Sequence, residues 1–151
     1  MKPYGLAVAA AAAFVLLDEL IKAEALKTFP SDAAIHGTPL FALAVHKNIG
    51  VAFDIPFKMP LIYLASIIIA TCLIHVITQT YKKKPETALF ATLILIGAAG
   101  NLYDRVVYGF TVDYFLILKR LAINISDLII LLGVAGILLS GKKSHGHTHS
   151  I

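Results

Sequence analysis

The chain has 151 residues, 58% hydrophobic and only 15% charged, with a mean hydropathy of +0.82. A soluble domain carries about 45–50% apolar and about 25% charged residues, so composition excludes an ordinary soluble enzyme and indicates a one-domain integral membrane protein. The net charge of +4 comes from basic residues that are dispersed or flank apolar runs, which makes nucleic acid a poor partner and points to topology signals.

Four stretches are apolar enough to cross hydrocarbon about 30 Å thick, which takes about 20 helical residues. They cover 4–26, 59–80, 87–108 and 121–140, and predict an all-α membrane protein. The first span contains Asp18, Glu19 and Lys22. Asp18 and Lys22 stand i, i+4 and form a pair of structural character. Lys2, an alanine-rich core and Ala23-Glu24-Ala25 also resemble a cleavable signal peptide. Retaining the segment fits the lysines better. Lys2, Lys82–Lys84 and Lys142–Lys143 all fall on one side of a four-span chain, and that side is expected to be cytoplasmic. Both termini are then inside, and residues 27–58 and 109–120 face outward.

The outer segment after span one alternates larger Phe41, Leu43 and Val45 with small Ala42 and Ala44, a strand-like period of two. Asn48-Ile49-Gly50 offers turn chemistry, and Val51-Ala52-Phe53 resumes an extended run. A small sheet or hairpin between helices 1 and 2 follows. Span two contains Cys72, expected as a small packing residue, and His75, expected to be hydrogen-bonded within the bundle. The domain is drawn as 1–141, and the His-rich tail 142–151 as disordered and solvated.

Asp113 lies beyond span three and Asp127 in the first two turns of span four. A carboxylate beside hydrocarbon is costly unless paired or wet, and is a functional candidate by default. Two carboxyls that share a proton can activate water and protonate a leaving nitrogen. Asn101, Asp104 and Arg105 stand i, i+3, i+4 on one helical face, and Gly97-Ala98-Ala99-Gly100 permits close approach of another helix. Asn124 precedes Asp127 by three residues, suited to supporting it or to capping the helix. The residues alone leave open whether the aspartates merely cap helices or pair with Arg105, Lys119 or Arg120. They also leave open a small proton-coupled transporter relaying through Asp18, Asp104 and Asp127.

Taken together, Asp18-Glu19-Leu20-Ile21-Lys22, Asn48-Ile49-Gly50-Val51-Ala52-Phe53, Gly100-Asn101-Leu102-Tyr103-Asp104-Arg105 with Asp113, and Asn124-Ile125-Ser126-Asp127 resemble the bacterial lipoprotein signal peptidases. The resemblance runs to about residue 140. It implies an aspartic endopeptidase of the cytoplasmic membrane, free of metal and cofactor, with its site at the extracytoplasmic face. The substrate would be a prolipoprotein cut before its diacylglyceryl-modified cysteine. Asp113 and Asp127 match the catalytic aspartates. Asn48, Gly50, Asn101, Arg105 and Asn124 match substrate-binding or supporting positions, and Asp18, Lys22 and Asp104 match structural ones. Membrane lipids are the other expected partners, and the protein is expected to be a monomer; an inactive relative is the remaining alternative. Ile123 replaces the family's usual Phe and Ser126 its usual Ala, with the Ser126 hydroxyl expected near Asp127. The segment from Asp113 to Asn124, expected to help cover the site, is shorter than usual.

Overall fold

The computed structural model describes residues 2–29, 36–38, 40–50, 55, 57–118 and 121–145. Four helices and four short strands follow in the order α1 (Lys2–Thr28), β1 (His36–Gly37), β2 (Phe41–Asn48), α2 (Met59–Thr80), α3 (Pro85–Tyr108), β3 (Thr111–Ile117), β4 (Leu121–Ile123) and α4 (Ile125–His145). Among the described residues three helices are long and apolar enough to cross a membrane, and the apolar part of α4, Ile125–Gly141, is shorter.

Each helix buries a narrow stripe and leaves the rest to lipid. On α1 the buried residues are Ala11, Asp18, Lys22 and Ala25, spaced so that they share one face. Its core face is therefore partly ionic, while Leu6, Phe14, Leu16 and Leu20 point outward. In α2 only Ile62 is buried; Cys72 and His75, expected to pack or bond within the bundle, are both exposed on this peripheral helix. Helix α3 is the centre, with Ala88, Ala91, Leu93, Gly97, Gly100, Asn101 and Asp104 buried, and it packs against α1, α2 and α4. Close approach to α4 depends on the expected small residues. A Cβ on Gly97 would stand 2.6 Å from Ser126 O, and one on Gly100 2.6 Å from Ser126 Oγ, nearer than real side chains sit. Helix α3 ends at Gly109, whose N–H donates to Arg105 O and whose left-handed φ of 80° then turns the chain out of the helix.

The sheet is larger than the expected hairpin between helices 1 and 2. It has four antiparallel strands in the order β1-β2-β3-β4, drawing half of them from the segment between α3 and α4. The predicted fourth span began at 121, but Leu121–Ile123 pair with β3 as β4, and the helix starts only after Asn124. An extended tripeptide thus carries apolar residues that sequence reads as the start of a span. The alternation in β2 also differs. A register shift lies between Leu43 and His46, so Phe41 and Leu43 are exposed while Val45 is buried with Ala42; one extra residue turns the strand over. Ala25, Val45 and Val112, flanked by Tyr108 and Phe110, join the sheet to the helices. Val51–Phe53 lie outside the described residues. So do 146–151, while α4 itself continues through the first tail residues to His145.

Candidate active site

The chain brings residues 48, 101, 105, 113, 124 and 127 together where β2, β3 and the start of α4 meet the end of α3. Asp113 sits on β3 opposite His46 and is 1% exposed. Its Oδ2 accepts Asn48 Nδ2 at 3.1 Å and its Oδ1 accepts Asn124 Nδ2 at 2.8 Å. Asp127 is the third residue of α4. Its Oδ1 accepts Asn101 Nδ2 at 2.7 Å and its Oδ2 accepts the Asn124 N–H at 3.3 Å. In return the Asp127 N–H donates to Asn124 Oδ1 at 2.9 Å. Asn124 thus forms a reciprocal cap with Asp127 and bonds Asp113 through its amide nitrogen. The two alternatives at this residue, cap and support, are both realised.

Asn101 carries the arrangement inward, because its Oδ1 accepts Asn124 Nδ2 at 3.1 Å while its own amide holds Asp127. Arg105, one turn further, forms no ion pair with an aspartate among the described residues. Its Nη1 donates to Asn101 O and its Nη2 to Gly50 O, each at 3.1 Å. The Gly50 N–H in turn donates to Asn48 Oδ1 at 3.0 Å, closing the turn after β2. Lys119 and Arg120, the other cations considered as partners, lie outside the described residues.

Asp113 and Asp127 open onto one cavity of about 340 Å³, walled by Asn48, Arg105, Thr111, Leu121, Ala122 and Ile123. The short segment from Asp113 to Asn124 therefore contributes β4 as a wall. Burial, first, and the negative charge of Asp127, second, push the Asp113 carboxyl from 3.8 up to about 7, against the lowering effect of the Asn48 and Asn124 hydrogen bonds. A carboxyl with that value holds or releases a proton near neutral pH.

Asp18, Lys22 and Asp104 form a separate group. Lys22 Nζ lies 2.9 Å from Asp18 Oδ2, 3.0 Å from Glu19 Oε1 and 2.9 Å from Asp104 Oδ2. Asp104 also accepts the Val112 N–H at 3.1 Å. Asp18 Oδ1 accepts Tyr114 Oη at 2.6 Å and the Ile125 N–H at 3.1 Å. Asp18 Oδ2 accepts both the N–H and the hydroxyl of Ser126, at 3.1 and 2.6 Å. The Ser126 hydroxyl, expected near Asp127, thus goes to Asp18, because the first turn of α4 points its free N–H groups at that carboxylate. The shared face of Asn101, Asp104 and Arg105 divides between the two groups: Asn101 and Arg105 serve the cavity, Asp104 serves Lys22. Sequence reasoning passed over Thr111 and Tyr114. The period of two from Asp113 was the available signal for Thr111, whereas nothing local marks Tyr114 as a partner of Asp18.

A bundle of apolar helices enclosing a carboxylate pair and its amide cradle at one end defines a multi-span membrane protein with one concentrated polar site. Residues 10–141 match the family model described as Signal peptidase (SPase) II. The chain is 33% identical over 127 residues to a lipoprotein signal peptidase of Thermodesulfovibrio yellowstonii, covering 80% of this chain and 83% of that one. It is 34% identical over 137 residues to that of Syntrophomonas wolfei, covering 85% and 90%. Its fold matches a bacterial membrane enzyme solved by the in meso method at 2.3 Å resolution, with a TM-score of 0.87, 24% identity, and 97% and 93% of the two chains covered. The chain belongs to the signal peptidase II family and is a membrane peptidase.

Proposed function

We propose that this protein is an aspartic endopeptidase that cuts prolipoproteins before a diacylglyceryl-modified cysteine, with Asp113 and Asp127 as its catalytic pair. The observation that carries this reading is the shared cavity: a buried carboxyl, Asp113, and a half-buried one, Asp127, held by the same Asn124, with neutral amides rather than cations as their direct partners. The ionised carboxyl of the pair takes a proton from water as the water oxygen bonds to the scissile carbonyl carbon. The protonated one, with Asp113 near its midpoint at neutral pH, hydrogen-bonds the carbonyl oxygen and then protonates the leaving nitrogen. The C–N bond breaks, giving a signal peptide ending in a carboxylate and a lipidated cysteine with a free amino group. No metal or cofactor enters this scheme.

Asn48, Asn101 and Asn124 hold the carboxyls as acceptors, and Arg105 and Gly50 fix the loop after β2 against α3. Asp18, Lys22 and Asp104 tie α1 to β3 and α4. The lysine distribution supports cytoplasmic termini, which puts the cavity at the extracytoplasmic face of a bacterial inner membrane. There the substrate's acyl chains lie in lipid beside a monomeric enzyme. A proton relay needs carboxylates at several depths, whereas Asp18, Asp104, Asp113 and Asp127 gather at one end.

The test is cleavage of a diacylglyceryl-modified prolipoprotein reporter. Asp113→Asn and Asp127→Asn are each expected to lower the rate at least about 10²–10⁴-fold, the range of a lost general acid or base, while the protein still accumulates in membranes. Retained cleavage in either variant removes the pair from the chemistry.

A further inference from the structure

Among the described residues four buried side-chain atoms have no hydrogen-bond partner: Glu19 Oε2, Asp104 Oδ1, Arg105 Nε and Thr111 Oγ1. The first two belong to the group around Lys22. The other two belong to residues that line the cavity of Asp113 and Asp127. Thr111 is 1% exposed and is the cross-strand partner of Asn48. It stands two residues before Asp113 on β3, so both side chains leave the same face of the strand. The neighbouring polar groups are bonded: Asn48 and Asn124 to Asp113, Asn101 to Asp127.

A buried hydroxyl left unpaired costs about 1–3 kcal/mol. Valine would fill the same strand position with equal β-propensity and no such cost. The hydroxyl is therefore explained by something that enters the cavity to meet it. Of these two unpaired atoms of cavity-lining residues, the guanidinium Nε is a donor only and a hydroxyl donates or accepts, so an acceptor is the kind of group that suits either. Asp113 and Asp127 stand in the same cavity and disfavour an anion there. A neutral acceptor remains, and an extended peptide supplies one in every main-chain carbonyl.

We propose that Thr111 is a substrate-binding residue whose hydroxyl donates to a main-chain carbonyl oxygen of the substrate next to the scissile bond. The inference rests on the peptidase reading of this cavity. It commits Thr111 to uniform binding of ground and transition states, and so to KM rather than kcat.

The experiment compares Thr111→Val and Thr111→Ser in the purified full-length enzyme, with Asp113→Asn in parallel. Readouts are KM and kcat for the prolipoprotein reporter and the Tm of the substrate-free protein. Thr111→Val is expected to raise KM about three- to tenfold, the worth of one hydrogen bond, with kcat retained and Tm equal or higher, because an unpaired hydroxyl has been removed. Thr111→Ser is expected to restore KM. A lowered Tm with unchanged KM overturns the proposal, since the hydroxyl then serves the free fold or a bound water. A fall confined to kcat overturns it too, as does a KM equal to that of the unaltered enzyme. Cleavage retained by Asp113→Asn overturns the underlying reading instead, whereas cleavage lost there with KM unmoved in Thr111→Val overturns Thr111 alone.

Discussion

Two groups of buried and half-buried carboxyls meet at one end of this bundle and are held in opposite ways. Around Lys22 a single ammonium touches Asp18, Glu19 and Asp104 within 3.0 Å, and backbone N–H groups of β3 and α4 add further donors to Asp104 and Asp18. Around the cavity, Asp113 and Asp127 receive side-chain amides and a backbone N–H, and no ion pair among the described residues. Compensated charge is fixed in place and joins elements distant in sequence. Charge held only by neutral donors keeps its geometry but stays free to take up a proton. The difference separates carboxyls that hold the fold from carboxyls suited to react.

The most damaging way to break this comparison is to remove the compensation. Lys22→Met leaves three acidic side chains in a buried site without their cation. Breaking a buried pair from one side costs about 3–5 kcal/mol, so the variant is expected to accumulate poorly and to unfold at a much lower temperature in detergent. Adding Asp104→Asn should recover part of the loss. A Lys22→Met protein with unaltered Tm would mean that the cluster does not depend on its ammonium, and the contrast with the cavity would fall.

A second test uses proton linkage at the uncompensated pair. The folded Asp113 carboxyl lies at about 7 against an ordinary 3.8. Its contribution to stability is therefore complete below the lower value and is lost as pH rises through the higher one, because the unfolded chain sheds the proton first. The slope reaches about 1.4 kcal/mol per pH unit at its steepest. Asp113→Asn has no such proton. The difference Tm(Asp113→Asn) minus Tm(unaltered) is expected to grow from pH 5 to pH 7 and to level off above it, whatever its starting value. A flat difference over that interval would show that Asp113 is not held up by burial and by Asp127.

How much of this was readable beforehand depended on whether the partners were local. The helices follow from apolar runs of spanning length, and the aspartates stood out as charges with no place in hydrocarbon. Asn124 and Asp127, three apart, carry their own cap in the sequence. Leu121–Ile123 do not announce a strand, because three apolar residues before a helix look like its first turn until β3 pairs with them. The reversal within β2 comes from one unpaired residue, which leaves no mark on the alternation of 41–45. Arg105, for which pairing with a carboxylate was left open, serves two backbone carbonyls, an acceptor that every residue possesses and that composition cannot single out. The Ser126 hydroxyl chose Asp18, on another helix and 108 residues away, over the neighbouring Asp127.

That choice supplies the smallest perturbation with a clear sign. Ser126→Ala removes the 2.6 Å bond from the hydroxyl to Asp18 Oδ2 but leaves the Ser126 N–H, Lys22, Tyr114 and the Ile125 N–H on the same carboxylate. The charge therefore stays compensated, and the loss is expected to be that of one hydrogen bond, about 0.5–1.5 kcal/mol, read as a modest fall in Tm. Because Asp127 follows directly on the same helical turn, the variant also asks whether the structural group transmits to the reactive one. Its own cap on Asn124 should hold Asp127 in place, so cleavage is expected to persist within severalfold of the unaltered rate. A collapse of cleavage to the level of Asp127→Asn, at a Tm only slightly lowered, would mean that Asp18 and Ser126 set the position of the reacting carboxyl, and that the two groups work as one.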